Sequence, residues 1–150
     1  MSQLASVSRP GTVLLVEDNT MNVAIATAAF RKLTIPHEIH VAVDGHDAMA
    51  FLRGVGNDAD GPRPDLVLLD LNMPRMDGYE VLQEMKSDVE LRSIPVIVMT
   101  TSESDTDVRR AYDRHANAYV VKPSDFLEWV QVAQTIANFW LKVVKRPSYQ

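Results

Sequence analysis

The sequence predicts a three-layer α/β fold, with helices on both faces of a parallel β-sheet. Short apolar runs alternate with amphipathic segments five times along the chain, which gives five strand–helix units. Parallel strands need crossover connections, usually helices, so this alternation favours a parallel sheet. The length of 150 residues suits one domain, and no internal repeat is present. Periodicity alone leaves the strand order open.

Each unit is recognised by its residue pattern. Runs rich in Val, Ile and Leu predict strands at Thr12–Val16, Glu38–Val43, Asp65–Asp70, Ile94–Thr100 and Ala118–Lys122. Apolar residues spaced three or four apart predict helices at Thr20–Leu33, His46–Leu52, Asp77–Lys86, Asp105–Arg114 and Asp125–Lys145. The second strand alternates apolar and polar residues, so we expect it near an edge of the sheet. Residues 1–11 are predicted to form a flexible leader, because they are mostly small and polar.

Composition excludes several classes of function. Apolar residues make up 46% of the chain and charged residues 23%, which is typical of a globular domain. The absence of cysteine excludes disulfides, thiolate metal sites and cysteine nucleophiles. A net charge of −5 argues against a nucleic-acid surface. No segment approaches the roughly 20 apolar residues that span a bilayer, and no signal-peptide core is present, so we expect a cytoplasmic protein without membrane contact.

Reactive side chains follow four of the five predicted strands. Glu17 and Asp18 follow the first strand, Asp70 ends the third, Thr100 ends the fourth and Lys122 ends the fifth. Ligands of open α/β sheets bind at the carboxyl ends of the strands, so we expect these side chains to converge. The three carboxylates and one ammonium leave a net charge of −2, which matches one divalent cation. Oxygen ligands of this kind favour Mg²⁺.

Four segments together resemble the receiver domain of two-component response regulators. They are VLLVEDN at 13–19, DLVLLDLNMPRMDGYEVL at 65–82, IPVIVMTTS at 94–102 and AYVVKP at 118–123. The resemblance implies a flavodoxin-like fold of five βα units with the sheet order 2-1-3-4-5. It also implies that residues 12–147 form a receiver domain with a long last helix and no output domain.

The resemblance implies a role for each acidic residue. Asp70 would accept the phosphoryl group, and Asp18 and Asp70 would bind Mg²⁺ directly. The backbone carbonyl of Asn72 would complete the protein ligands. Glu17 would act mostly through a metal-bound water, at a position where the family often has a second aspartate. The chain would catalyse its own phosphorylation and dephosphorylation without being an enzyme that turns over a substrate.

The resemblance also implies how phosphorylation changes the shape of the domain. Lys122 and Thr100 would stabilise the phosphoryl oxygens, and the ring of Tyr119 would rotate into the space that Thr100 vacates. Thr101 stands where the family usually has a smaller residue, at a position that controls access to the phosphoryl group. The peptide bond before Pro123 would be cis, as it usually is in the family.

A narrower resemblance is to stand-alone regulators that partner phytochrome-type histidine kinases. It rests on LRGVG at 52–56, YDRHANAYVVKP at 112–123 and FWLKVV at 139–144. It implies a sensor histidine kinase as phosphoryl donor, with the phytochrome type as first candidate. Only 28 residues follow Lys122, which leaves no room for a DNA-binding module, so output would pass through protein contacts or phosphate relay to an unknown target.

Three other functions remain as alternatives. A phosphatase of the haloacid dehalogenase type needs a second aspartate two positions after its nucleophile, where this chain has Asn72. A flavodoxin-like cofactor binder needs a phosphate loop after the first strand, where Glu17 and Asp18 would repel phosphate. A pseudo-receiver scaffold that is never phosphorylated is the third alternative.

The last predicted helix carries two apolar stripes. Packing on the sheet accounts for the stripe formed by Phe126, Val130, Ala133, Ala137, Trp140 and Val144. We expect the second stripe to face outward and to form a homodimer interface, because exposed apolar patches often mark interfaces. Its residues are Trp129, Val132, Ile136, Phe139 and Val143. Alternatively, this stripe covers the helix's own domain or the leader.

Overall fold

The computed structural model describes residues 9–54 and 62–147, and the structural statements below concern those residues. Five parallel strands form one sheet in the order β2-β1-β3-β4-β5, which confirms the predicted α/β fold and strand order. The second strand lies at an edge, as its alternating pattern predicts. The strands are β1 Gly11–Val16, β2 His37–Ala42, β3 Leu66–Leu69, β4 Val96–Thr100 and β5 Ala118–Val121.

A helix follows each strand, and its first turn is closed by a side chain. In each helix an Asn, Asp or Ser at the N-cap accepts a hydrogen bond from a backbone N–H three residues later, which satisfies a donor that the helix leaves free. The last helix continues into a π-helical segment at Asn138–Val143. The helices are α1 Thr20–Arg31, α2 Gly45–Leu52, α3 Gly78–Ser87, α4 Asp105–Asp113 and α5 Phe126–Ala137. None of them is long and apolar enough to cross a membrane.

The sheet separates two apolar cores. Alternate residues of a strand point to opposite faces, so Leu14 and Val16 pack with α2, α3 and α4, whereas Val13 and Leu15 pack with α1 and α5. All six residues of β1 are buried, which explains its unbroken apolar run. Because β1 is buried between two neighbouring strands, the residues that follow it have a fixed position at the carboxyl ends of the strands.

The start of the folded domain differs by one residue from the prediction. Gly11 belongs to β1, and Arg9 already makes two hydrogen bonds of 2.7 Å to the carboxylate of Asp65. Arg146, near the other end, also binds Asp65, at 3.1 Å. Gly11 joins the strand because its backbone N–H donates to the carbonyl of Pro36 at 3.1 Å, at the start of β2. Residues 1–8 of the predicted leader lie outside the described ranges.

The predicted outward orientation of the second stripe is wrong for two of its residues. Trp129 and Ile136 are each only 6% exposed, because they lie with Ala133 and Ala137 in the core that α5 shares with α1 and the sheet. Phe126, a residue of the stripe predicted to pack on the sheet, is 42% exposed. The remaining stripe is smaller: Val132 is half-buried, whereas Phe139 and Val143 are exposed.

Candidate functional site

Three carboxylates meet at the carboxyl edge of the two central strands. Val16 of β1 pairs with Leu69 of β3, so Glu17, Asp18 and Asp70 follow at the same level. One oxygen from each of the three lies within 4.8 Å of the others. Glu17 and Asp70 are buried and Asp18 is exposed, so the group opens to solvent on one side. The predicted convergence of the acidic residues is therefore observed.

Lys122 supplies the positive charge of this group. Its Nζ lies 2.6 Å from Glu17 Oε1 and 3.4 Å from Asp70 Oδ1, and its side chain is largely buried. The backbone N–H of Lys122 donates to the carbonyl of Thr100 at 2.8 Å, which fixes the end of β5 beside β4. The expected cis bond before Pro123 is wrong, since no cis peptide bond occurs in the described ranges. The lysine reaches the acidic group from an ordinary trans backbone.

Thr100, Asn72 and Thr101 surround the acidic group at different depths. Thr100 is completely buried at the end of β4, and its Oγ1 accepts a hydrogen bond of 3.4 Å from the Nδ2 of Asn72. The backbone N–H of Ser102 lies 3.5 Å from the same Oγ1. Asn72 and Thr101 are exposed. The buried hydroxyl of Thr100 and the exposed amide of Asn72 are therefore joined by a long hydrogen bond, and its loss would free the hydroxyl to bind a ligand.

The carboxyl group of Asp70 is hard to ionise. Burial raises its pKa to about 6, the neighbouring Lys122 ammonium opposes this rise, and the Glu17 carboxylate adds to it. A backbone hydrogen bond from Asn72 favours the ionised form. Near pH 7 most of the carboxyl is still a carboxylate. Asp70 is therefore a buried anion with a strong tendency to gain a proton, a cation or an electrophile.

Because the ionised carboxylate of Asp70 is disfavoured in the folded state, we predict that Asp70→Asn stabilises the cation-free protein at neutral pH. The pKa of Asp70 lies above its ordinary value of 3.8, so the folded state binds the proton more tightly than the unfolded state. Stability is therefore lost as the pH rises from about 4 to about 6. With EDTA at pH 7, we expect a gain of about 1–2 kcal/mol in the free energy of unfolding, after allowance for solvent screening. Urea denaturation at pH 4 and pH 7 measures the free energy of unfolding of both proteins. An equal gain at the two pH values would contradict the proposed effect of the Asp70 charge.

A hydrogen-bonded chain that sequence reasoning missed extends from the site to two helices. The hydroxyl of Tyr119 donates to the backbone carbonyl of Ser102 at 2.9 Å, and the hydroxyl of Ser102 donates to Asp107 at 2.6 Å. The hydroxyl of Tyr79 donates to the same carboxylate at 2.7 Å. Ser104 and Asp107, spaced as a helix cap, were the available signal, because they place a carboxylate in the first turn of α4.

Comparison with known proteins gives consistent matches. The sequence model of the response regulator receiver domain family matches residues 13–134. Response regulator Rcp1 of Synechocystis sp. is 41% identical over 139 residues, which cover 93% of this chain and 95% of that protein.

Two solved structures match the fold. The phosphorylated cyanobacterial phytochrome response regulator RcpA is 42% identical, with a TM-score of 0.87, over 93% of this chain and 100% of that chain. The Mn²⁺-bound form of Rcp1 is 41% identical, with a TM-score of 0.84 and the same coverage of both chains. These likenesses extend over nearly the whole of each molecule.

Proposed function

The chain belongs to the response regulator receiver domain family of two-component systems, and we propose that it accepts a phosphoryl group on Asp70. Membership confirms the resemblance seen in the sequence, and RcpA is a phytochrome response regulator, the class that the narrower resemblance indicates. The observation that carries the proposal is the buried Asp70 carboxylate, with Lys122 Nζ at 3.4 Å and two further carboxylates beside it.

The acidic group fits a divalent cation, and we propose Mg²⁺. Glu17, Asp18 and Asp70 offer oxygen ligands within 4.8 Å of one another, and the exposed Asp18 leaves a path from solvent. The related Rcp1 has been solved with Mn²⁺ bound. The backbone carbonyl of Asn72 follows Asp70 by two residues and completes the proposed ligand set, with Glu17 acting through water. When bound, the cation offsets the repulsion between carboxylate and phosphoryl oxygens.

The side chains around Asp70 account for the proposed phosphoryl transfer. An oxygen of Asp70 forms the new bond to phosphorus while the bond from phosphorus to the donor's imidazole nitrogen breaks, and its electron pair stays on that nitrogen. The Lys122 ammonium neutralises a phosphoryl oxygen. Because an ammonium has three N–H donors, Lys122 has donors for this oxygen besides the one bound to Glu17 at 2.6 Å. The hydroxyl of Thr100 turns from Asn72 to donate to another phosphoryl oxygen.

We place the switch at Thr100 and Tyr119. When the hydroxyl of Thr100 moves toward the phosphoryl group, it breaks its hydrogen bond with Asn72. The half-buried ring of Tyr119, on the neighbouring strand β5, then rotates into the space that Thr100 vacates. The exposed Thr101 follows at the rim, where its side chain limits the access of water to the acyl phosphate. The signal is then read by a protein that contacts this altered face.

The proposed donor is a sensor histidine kinase of the phytochrome type, and the proposed compartment is the cytoplasm. The test is phosphotransfer from a panel of purified kinases that carry radiolabelled phosphohistidine, at short times and in Mg²⁺. We expect the phytochrome-type kinase to lose label to this chain first. Transfer from another kinase at a higher rate would contradict the partner, and transfer from none would favour the pseudo-receiver scaffold.

We propose that the exposed part of the second stripe forms a homodimer contact. Phe139 is 49% exposed and Val143 is 64% exposed, and they are neighbours on the π-helical segment, with the half-buried Val132 on the preceding helix. Aromatic and aliphatic side chains of this kind are enriched in interfaces. Trp129 and Ile136 are buried in the core of the domain, so they are not part of this contact.

The dimer predicts that Phe139→Asp produces a folded monomer. Burying a new carboxylate in the contact costs far more than exposing it, so association should weaken at micromolar concentration. Sedimentation velocity measures it, with circular dichroism as a check of folding. Leu127→Asp is the matched control, because Leu127 is an exposed apolar residue, 69% exposed, near the start of α5 and away from the proposed contact. A wild-type protein that is monomeric with and without beryllofluoride, a mimic of the acyl phosphate, would eliminate the dimer.

A further inference from the structure

We propose that Asp107 is a positioning residue of the switch, which holds Ser102 in place and passes its movement on to helix α3. The inference rests on the proposed phosphorylation of Asp70. Asp107 lies in the first turn of α4 and makes no hydrogen bond to the acidic group. It acts through two short hydrogen bonds, from Ser102 Oγ at 2.6 Å and from Tyr79 Oη at 2.7 Å.

Ser102 connects the site with this carboxylate. Its backbone N–H lies 3.5 Å from the hydroxyl oxygen of Thr100, and its carbonyl accepts the 2.9 Å hydrogen bond from Tyr119. Both residues of the proposed switch therefore contact the backbone of one residue, whose side chain is held by Asp107. When Thr100 and Tyr119 move, Ser102 must either move with them or lose those contacts.

Tyr79 carries the connection across to the neighbouring helix. Its side chain lies in the core between the sheet and α3, and its hydroxyl bridges to Asp107 of α4. The guanidinium carbon of Arg110 lies 3.7 Å from the centre of its ring, which holds the ring against α4. A cavity of about 320 Å³ opens beside this contact and is lined by Tyr79, Glu80, Gln83, Glu84, Arg110 and Arg114. A movement of Asp107 that displaces Tyr79 would therefore change the shape of this cavity.

The charge of Asp107 makes the two contacts strong. Hydrogen bonds from the hydroxyls of Ser102 and Tyr79 lower the pKa of its carboxyl, so it remains ionised. Burial and the same carboxylate raise the pKa of the Tyr79 hydroxyl, which therefore keeps its proton and remains a donor. Hydrogen bonds to a charged acceptor are about twice as strong as neutral ones. The link therefore consists of two short hydrogen bonds to one charged acceptor.

The test compares amide NMR spectra with and without beryllofluoride and Mg²⁺. In the wild type we expect shift changes at Asp70, Thr100 and Ser102, and also at Tyr79 and its neighbours on α3. In Tyr79→Phe the ring stays and only the bridging hydroxyl is lost. The changes near Asp70 should then persist while those on α3 fall by at least about twofold. Asp107→Asn keeps one oxygen acceptor and should give an intermediate reduction.

Asp105→Asn is the matched control. It removes a carboxylate from the same first turn of α4. Among the described residues, the side chain of Asp105 makes no hydrogen bond or ion pair that joins α4 to the site. This variant should respond to beryllofluoride like the wild type at every position. Equal responses of α3 in wild type, Tyr79→Phe and Asp107→Asn would overturn the inference and leave the proposed function intact. A wild type without any response near Asp70 would overturn both.

Discussion

Asp70→Asn should abolish phosphorylation of this chain by acetyl phosphate. Wild-type protein incubated with acetyl phosphate and Mg²⁺ should gain the mass of one phosphoryl group, because we propose a single acceptor, the buried Asp70 carboxylate that lies 3.4 Å from the Lys122 ammonium. An amide at position 70 has no anionic oxygen to attack phosphorus, so the increase should be lost completely. Intact-protein mass spectrometry measures it.

Two controls make this result specific to Asp70. Asp88→Asn changes an aspartate at the end of α3, far along the chain from the site, and should leave the mass increase unchanged. Chelation of divalent cations by EDTA should block labelling of the wild type, since the acidic group then repels the anionic donor. A mass increase that persists in Asp70→Asn, or labelling that is equal in EDTA, would contradict the proposed acceptor or its cation.

Lys122→Met should destabilise the cation-free protein severely. The ammonium is the nearest counter-charge of two buried carboxylates, Glu17 at 2.6 Å and Asp70 at 3.4 Å. Removal of one member of a buried ion pair leaves an uncompensated charge, so we expect the free energy of unfolding to fall by about 3 kcal/mol in EDTA. The same change should raise the pKa of Asp70 further, because the lysine is the main group that lowers it. Urea denaturation measures the loss of stability.

The loss should be smaller in millimolar Mg²⁺, because a cation in the acidic group replaces part of the missing positive charge. Lys142→Met is the matched control; Lys142 is exposed near the end of the last helix and should change stability little in either buffer. If Lys122→Met were as stable as the wild type in EDTA, the ion pairs seen here would contribute nothing. An equal loss with and without Mg²⁺ would contradict a cation in the acidic group.

Much of the site could be predicted because its residues lie where recognisable strands end. The unbroken apolar runs before Glu17 and Asp70 identify strands buried on both faces, and such strands lie in the middle of a parallel sheet. The polar residues that follow these parallel strands must then lie together at the carboxyl ends of the strands. Boundaries of the elements differ from the prediction by only one to a few residues, because the final hydrogen bonds of a strand or helix depend on its neighbours.

The orientation of α5 could not be predicted, because its two apolar stripes satisfy the same helical spacing. Trp129 is buried because its side of α5 packs against α1 and the sheet, whereas Phe126 remains 42% exposed. The link from Tyr79 to Asp107 was missed for a related reason. These residues are 28 positions apart on different helices, and they meet because β3 and β4 are neighbours in the sheet.

The most direct test of the account is chemical identification of the phosphorylated residue. Borohydride reduces the acyl phosphate of an aspartate to homoserine, which marks the site permanently for peptide mapping by mass spectrometry. After incubation with acetyl phosphate and Mg²⁺, we expect this conversion at Asp70 and at no other residue. Conversion at Asp18, or at any residue outside the acidic group in place of Asp70, would contradict the central claim.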